Sequence, residues 1–109
     1  MDKIKLVQGD TRPPLVVTLT DDATGTPINI TGATVRLKFR PVGSETVRTT
    51  LTGSVTNGPN GVVTFSWASD PTALAGDPGD YEGEISITFT DSTVQTIYDI
   101  LKFKLRQEF

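Results

Sequence analysis

Residues 33–39 read Ala-Thr-Val-Arg-Leu-Lys-Phe, alternating apolar and polar without a break. Successive side chains of an extended strand point to opposite faces, so this run has one dry face and one wet face. Four more runs repeat the pattern. Leu15, Val17 and Leu19 share a face in "LVVTLT", and Val63, Phe65 and Trp67 share one in "VVTFSW". Tyr81, Gly83, Ile85, Ile87 and Phe89 alternate with Glu82, Glu84, Ser86 and Thr88. Leu101, Phe103 and Leu105 alternate with Lys102, Lys104 and Arg106. Strands that are dry on one side only belong to antiparallel sheets packed on one face.

Turn-forming residues separate these runs. "DDATGTP" (21–27), "TG" (31–32), "PVGSE" (41–45), "NGPNG" (57–61), "DPTALAGDPGD" (70–80) and "TDST" (90–93) accept the dihedrals that strands do not. "NGPNG" reads as a hairpin loop between "SVT" and "VVTFSW". "DST" closes a second hairpin between "ITFT" and "VQTIY". "SDPTALAG" has room for one helical turn, capped by Ser69 or Asp70 with Pro71 in its first position. "KIKLVQ" and the Pro13–Pro14 pair form or interrupt an edge strand, where proline discourages unwanted pairing. The chain reads as a single domain over residues 1–109, all-β, with seven to nine strands in a sandwich or barrel.

At 109 residues such a fold buries about two thirds of its unfolded surface, enough to stand without a metal or disulfide. The chain has no cysteine and no histidine. That removes disulfide staples, thiolate sites, the usual neutral-pH base and the commonest transition-metal ligand. A net charge of −3 speaks against nucleic acid as the partner. The first residues, "MDKIKLVQGD", have no apolar run of signal-peptide length, and no stretch reaches the length of a membrane helix. The expectation is synthesis in a cytoplasm, without an export signal of the chain's own and without a membrane partner.

The run "DPGDYEGE" (77–84) chooses sandwich over barrel. Asp-x-Gly-x-Tyr-x-Gly resembles the corner of immunoglobulin-type domains, where a tyrosine hydroxyl bonds back to the backbone a few residues upstream. Tyr81 is expected to reach Asp77, and Gly79 to allow the bend. A cysteine often stands where Gly83 stands here. With no side chain at Gly83, the space falls to a large neighbour on the opposite sheet, Trp67 or Phe39.

Candidate sites are few. A nucleophile would need a lysine or carboxylate as its base. Lys38, Lys102 and Lys104 lie on wet faces. Glu82 and Glu84 share a face, but a flat exposed strand offers neither a cleft nor a means to split their pKa values. Catalysis and cofactors are therefore not expected. Asp21 with Asp22, and Asp70 with Asp77 and Asp80, are oxygen clusters in loops without a calcium-loop spacing, and read as turn caps. Trp67, Tyr81, Phe39, Phe65, Phe89 and Phe103 fall on dry faces and read as core.

In the usual strand order of such a sandwich, "YEGEISITF" lies between "VRLKF" and "LKFKLR". Glu82 and Glu84 then sit between Arg36, Lys38 and Arg40 on one side and Lys102, Lys104 and Arg106 on the other. The bland reading is a solvated charged face. The sharper one is a partner-docking face, since six cations exceed two carboxylates. Tyr98 and Phe109 have no clear inward place and join those six as interface candidates.

Taken together, "VQGDT" (7–11), "LVVTLTDDATGTPINITGATVRLKFR" (15–40), "NGVVTFSW" (60–67), "AGDPGDYEGEISITFTD" (75–91) and "LKFKL" (101–105) resemble the N-terminal domain family of phage baseplate upper proteins (BppU-type). The resemblance spans nearly all of residues 4–106. It implies an immunoglobulin-like β-sandwich of a phage or prophage virion that docks on the tail or baseplate and helps carry host-recognition components; several symmetric copies of the chain are expected in such an assembly. It brings no catalytic residues. Longer members continue into a helical linker and a carrier of the receptor-binding protein. This chain, ending at Phe109, is expected to be either one domain of a longer protein or a small virion protein. The alternative is a carbohydrate- or surface-binding module of a bacterial adhesin or secreted enzyme, which would require a groove lined by exposed aromatics.

Overall fold

A computed structural model describes residues 3–21, 23–97 and 100–109 and arranges them as an immunoglobulin-like β-sandwich. The described residues form nine strands: β1 (Ile4–Val7), β2 (Leu15–Thr18), β3 (Thr34–Pro41), β4 (Thr49–Thr52), β5 (Ser54–Asn57), β6 (Val62–Phe65), β7 (Gly79–Thr88), β8 (Val94–Thr96) and β9 (Leu101–Arg106). One sheet runs β1-β9-β7-β3-β4, with β8 also on β7; the other runs β2-β6-β5. β3 covers Tyr81–Thr88 along one edge of β7, so β8 and β9 share the other edge. β7, the longest strand, is the central beam of the larger sheet.

All but one of the pairings are antiparallel. β1 lies parallel to β9, with Ile4 opposite Phe103 and Val7 opposite Arg106. The larger sheet is therefore mixed, not purely antiparallel as the alternation implies. No hairpin joins β1 to β9, so no local signal in either strand sets their relative direction. β4 also escapes the alternation rule, because "TTLT" offers one apolar residue among threonines. Leu51 is nonetheless fully buried, and Thr49 is buried beside it.

The core has the parity read from the sequence. Leu19, Val35, Leu37, Phe39, Val63, Phe65, Trp67, Tyr81, Ile85, Ile87, Phe103 and Leu105 are all at most 3% exposed, and Phe89 is half-buried. Each large side chain taken from water contributes about 1.5–3 kcal/mol. At the centre, Phe39 stacks on Tyr81 with ring centroids 4.8 Å apart and planes 3° apart. Trp67 and Phe103 meet Phe39 edge-on, each at 5.2 Å. Trp67 and Phe103 also meet each other, at 5.9 Å. Such pairs add about 0.5–1.5 kcal/mol each beyond area burial.

The corner forms as its residues require. Tyr81 donates its hydroxyl to the Asp77 carbonyl at 2.7 Å, and Gly79 turns with φ +144°. The filling of the space at Gly83 differs from expectation. A β-carbon there would stand 2.8 Å from Leu37 Cδ1 and 3.0 Å from Phe103 Cε2. The space is closed by the flanking strands of the same sheet, not by Trp67 or Phe39. Phe39 is the register partner of Gly83, but its ring leans along the sheet to stack on Tyr81.

Both expected hairpins form, β5 to β6 through residues 57–61 and β7 to β8 through residues 89–93. The helical turn falls earlier than its cap signals place it, as a 3₁₀ turn at Trp67–Ser69. Asp70 instead caps the next turn: its Oδ1 accepts from the Thr72 N–H and hydroxyl at 3.2 and 2.8 Å. Its other oxygen accepts from the buried Thr49 hydroxyl.

Candidate docking surface

Inward parity of Val35, Leu37 and Phe39 forces Arg36, Lys38 and Arg40 outward, and the same rule turns Lys102, Lys104 and Arg106 outward on β9. β7 lies between them. Arg40 is opposite Glu82, Lys38 opposite Glu84 and Arg36 opposite Ser86 across β3–β7. Lys102 is opposite Glu82 and Lys104 opposite Asp80 across β7–β9. The six basic residues singled out in the sequence therefore share one face. Phe109 is fully exposed beyond its end, with the Arg106 guanidinium 5.2 Å from its ring. Tyr98 lies outside the described residues.

Three further members escape the sequence reading. Lys5 is the register partner of Lys104 on the neighbouring strand. Lys3 reaches Asp80 at 2.9 Å, and Lys104 stands 3.7 Å from the same carboxylate. Asp80, assigned by sequence to a loop cluster, is a strand residue of this face. The alternation of "KIKL" carried the signal for Lys3 and Lys5, but too few residues follow it to define a strand by themselves. The face then holds all five lysines of the chain and three of its five arginines.

Ion pairing does not exhaust these cations. Glu82 takes Arg40 at 2.8 Å, and Asp80 takes Lys3 and Lys104. Among the described residues, Lys5, Arg36, Lys38, Lys102 and Arg106 make no ion pair. Exposed pairs of this kind contribute at most about 1 kcal/mol each, so their placement matters more than their strength. The hydrogen bond from Lys3, reinforced by the charge of Lys104, holds the Asp80 carboxyl below its ordinary pKa.

Two concavities open on this face. A cleft of about 80 Å³ lies between Lys38, Arg40, Glu82 and Glu84, with the half-exposed Val47 and Ile100 at its sides. An open groove of about 600 Å³ runs along β1 and β9, lined by Lys5, Lys104 and Arg106 around Leu6, Val7 and Pro78.

The loop aspartates do not converge. Asp21 Oδ1 accepts from the Ala23 N–H at 2.8 Å, in a turn closed by Gly25 and Thr26; Asp22 lies outside the described residues. Asp70 serves Thr49 and Thr72, Asp77 offers its backbone carbonyl to Tyr81, and Asp80 belongs to the sheet. No protein-family model matches this chain, and comparison with curated proteins finds no relative.

Proposed function

We propose that this chain is a non-enzymatic structural module of a phage or prophage tail or baseplate. It docks other virion proteins through the outer face of the larger sheet and helps present host-recognition components. The resemblance of its ordered segments to baseplate upper proteins supports the virion setting. The observation that carries the docking role is the gathering of eight of the ten cations on one rigid sheet face.

The mechanism is rigid presentation. β7 is hydrogen-bonded on both edges and anchored at its corner, so the charged side chains stand on a frame that need not reorganise on binding. Several symmetric copies in the assembly would repeat the face around an axis. Among the described residues, every aromatic side chain but Phe109 belongs to or packs against the core, which leaves a sugar-binding platform one exposed ring.

Charge reversal tests this reading. The triple variant Arg36→Glu, Lys38→Glu, Lys104→Glu, introduced into the phage or prophage that encodes the chain, is expected to yield tails that lack it. Normal incorporation of the folded variant would refute the docking role. Tail or baseplate genes beside its coding sequence would support the setting.

A further inference from the structure

The partner's chemistry follows from the imbalance between this face and the rest of the chain. The face holds eight cations against three carboxylates, while the rest of the described chain holds two cations against seven carboxylates. We infer that the face receives an acidic protein segment bearing a small aliphatic side chain. This inference rests on the docking role above and specifies what is docked.

Three features point to such a segment. The three carboxylates of the face, Asp80, Glu82 and Glu84, all lie on β7: Glu82 stands between Arg40 on β3 and Lys102 on β9, Glu84 is opposite Lys38 on β3, and Asp80 is opposite Lys104 on β9. Adjacent strands are about 4.8 Å apart, so two basic rails run about 10 Å from each other with an acidic rail between them. A polyphosphate backbone crossing the face would meet that central rail and be repelled. A peptide can place its acidic side chains over the outer rails and spare the middle. Next, Phe109 is the one fully exposed aromatic ring among the described residues. Among the described residues, bases therefore find one ring and no series of rings on which to stack. Finally, the cleft beside Lys38 and Arg40 is flanked by Val47 and Ile100 and has the size for a small aliphatic side chain, not a base.

The surrounding acidity sharpens the choice. A net charge of −3 repels an acidic partner at most orientations, and only an approach toward this face is attractive. The same charge pattern thus supplies both attraction and orientation.

The test is an amide chemical-shift titration of the intact chain with three probes. They are a short acetylated peptide of Glu and Asp with one central Val, the same peptide with Lys in place of every acid, and a short single-stranded DNA. The acidic peptide is expected to shift amides of residues 36–40 and 80–84 and of residues 102–106. Its affinity should fall about tenfold from low to high salt. Exchanging its Val for Gly should weaken it several-fold. The variant Lys38→Glu, Lys102→Glu, with an unchanged circular dichroism spectrum, should not respond. Absence of shifts on this face, equal binding of the Lys peptide, or tighter binding of the DNA would overturn the inference. If the acidic peptide fails while charge reversal still removes the chain from tails, the partner chemistry is wrong and the docking role stands. If the peptide binds but the reversed chain still assembles, the docking role falls and the acid-binding face stands.

Discussion

Tyr81 donates its hydroxyl to the Asp77 carbonyl at 2.7 Å while its ring stacks on Phe39. One side chain thus ties the bend ahead of β7 to the aromatic knot below it. The tie fixes where β7 begins, and so where Asp80, Glu82 and Glu84 stand among the cations. Tyr81→Phe keeps the stack and loses the hydrogen bond. Urea unfolding should show a loss of about 1 kcal/mol, with the sheet intact by amide shifts.

Gly83 is closed in from both flanks. In Gly83→Ala, the added methyl must displace Leu37 or Phe103, neither of which has a free side to move to. Overpacking of this kind costs about 1–3 kcal/mol. Adding Leu37→Val should recover part of that loss, since the two changes share one volume and do not add. Full additivity in urea unfolding would show that Gly83 is constrained by something other than these contacts.

Hydrogen bonds from Thr49 and Thr72 hold the Asp70 carboxyl below its ordinary pKa. A carboxylate depressed in the folded state contributes stability above its unfolded pKa, and that contribution is lost as pH falls through the folded value. The loss should therefore lie below about pH 4. Thr49→Val removes the first-named donor. Carbon-detected NMR titration should then place the Asp70 pKa higher than in the parent chain, and the acid limb of its thermal stability should flatten.

The strands with several apolar residues in register were legible because period two is a geometric property of the chain. Val35, Leu37 and Phe39 show it, as do Phe103 and Leu105. The corner was legible because Tyr81 and Gly79 satisfy local demands within five residues. What the sequence did not disclose depends on distant partners. The direction of β1, the burial of Thr49 and the filling of the space at Gly83 are set by elements far along the chain. The charged face was half visible: β3, β7 and β9 announced their outward charges, while Lys3 and Lys5 joined only through the pairing of β1.

The lysines offer the most direct test, because all five are exposed and all five belong to the same face. Acetylation of the free chain and of the chain within isolated tails, followed by peptide mass spectrometry, reads that face alone. Lys5, Lys38, Lys102 and Lys104 should react readily when free and be protected several-fold in the assembly. Equal reactivity in both states would contradict the claim that this sheet face is where the chain is held.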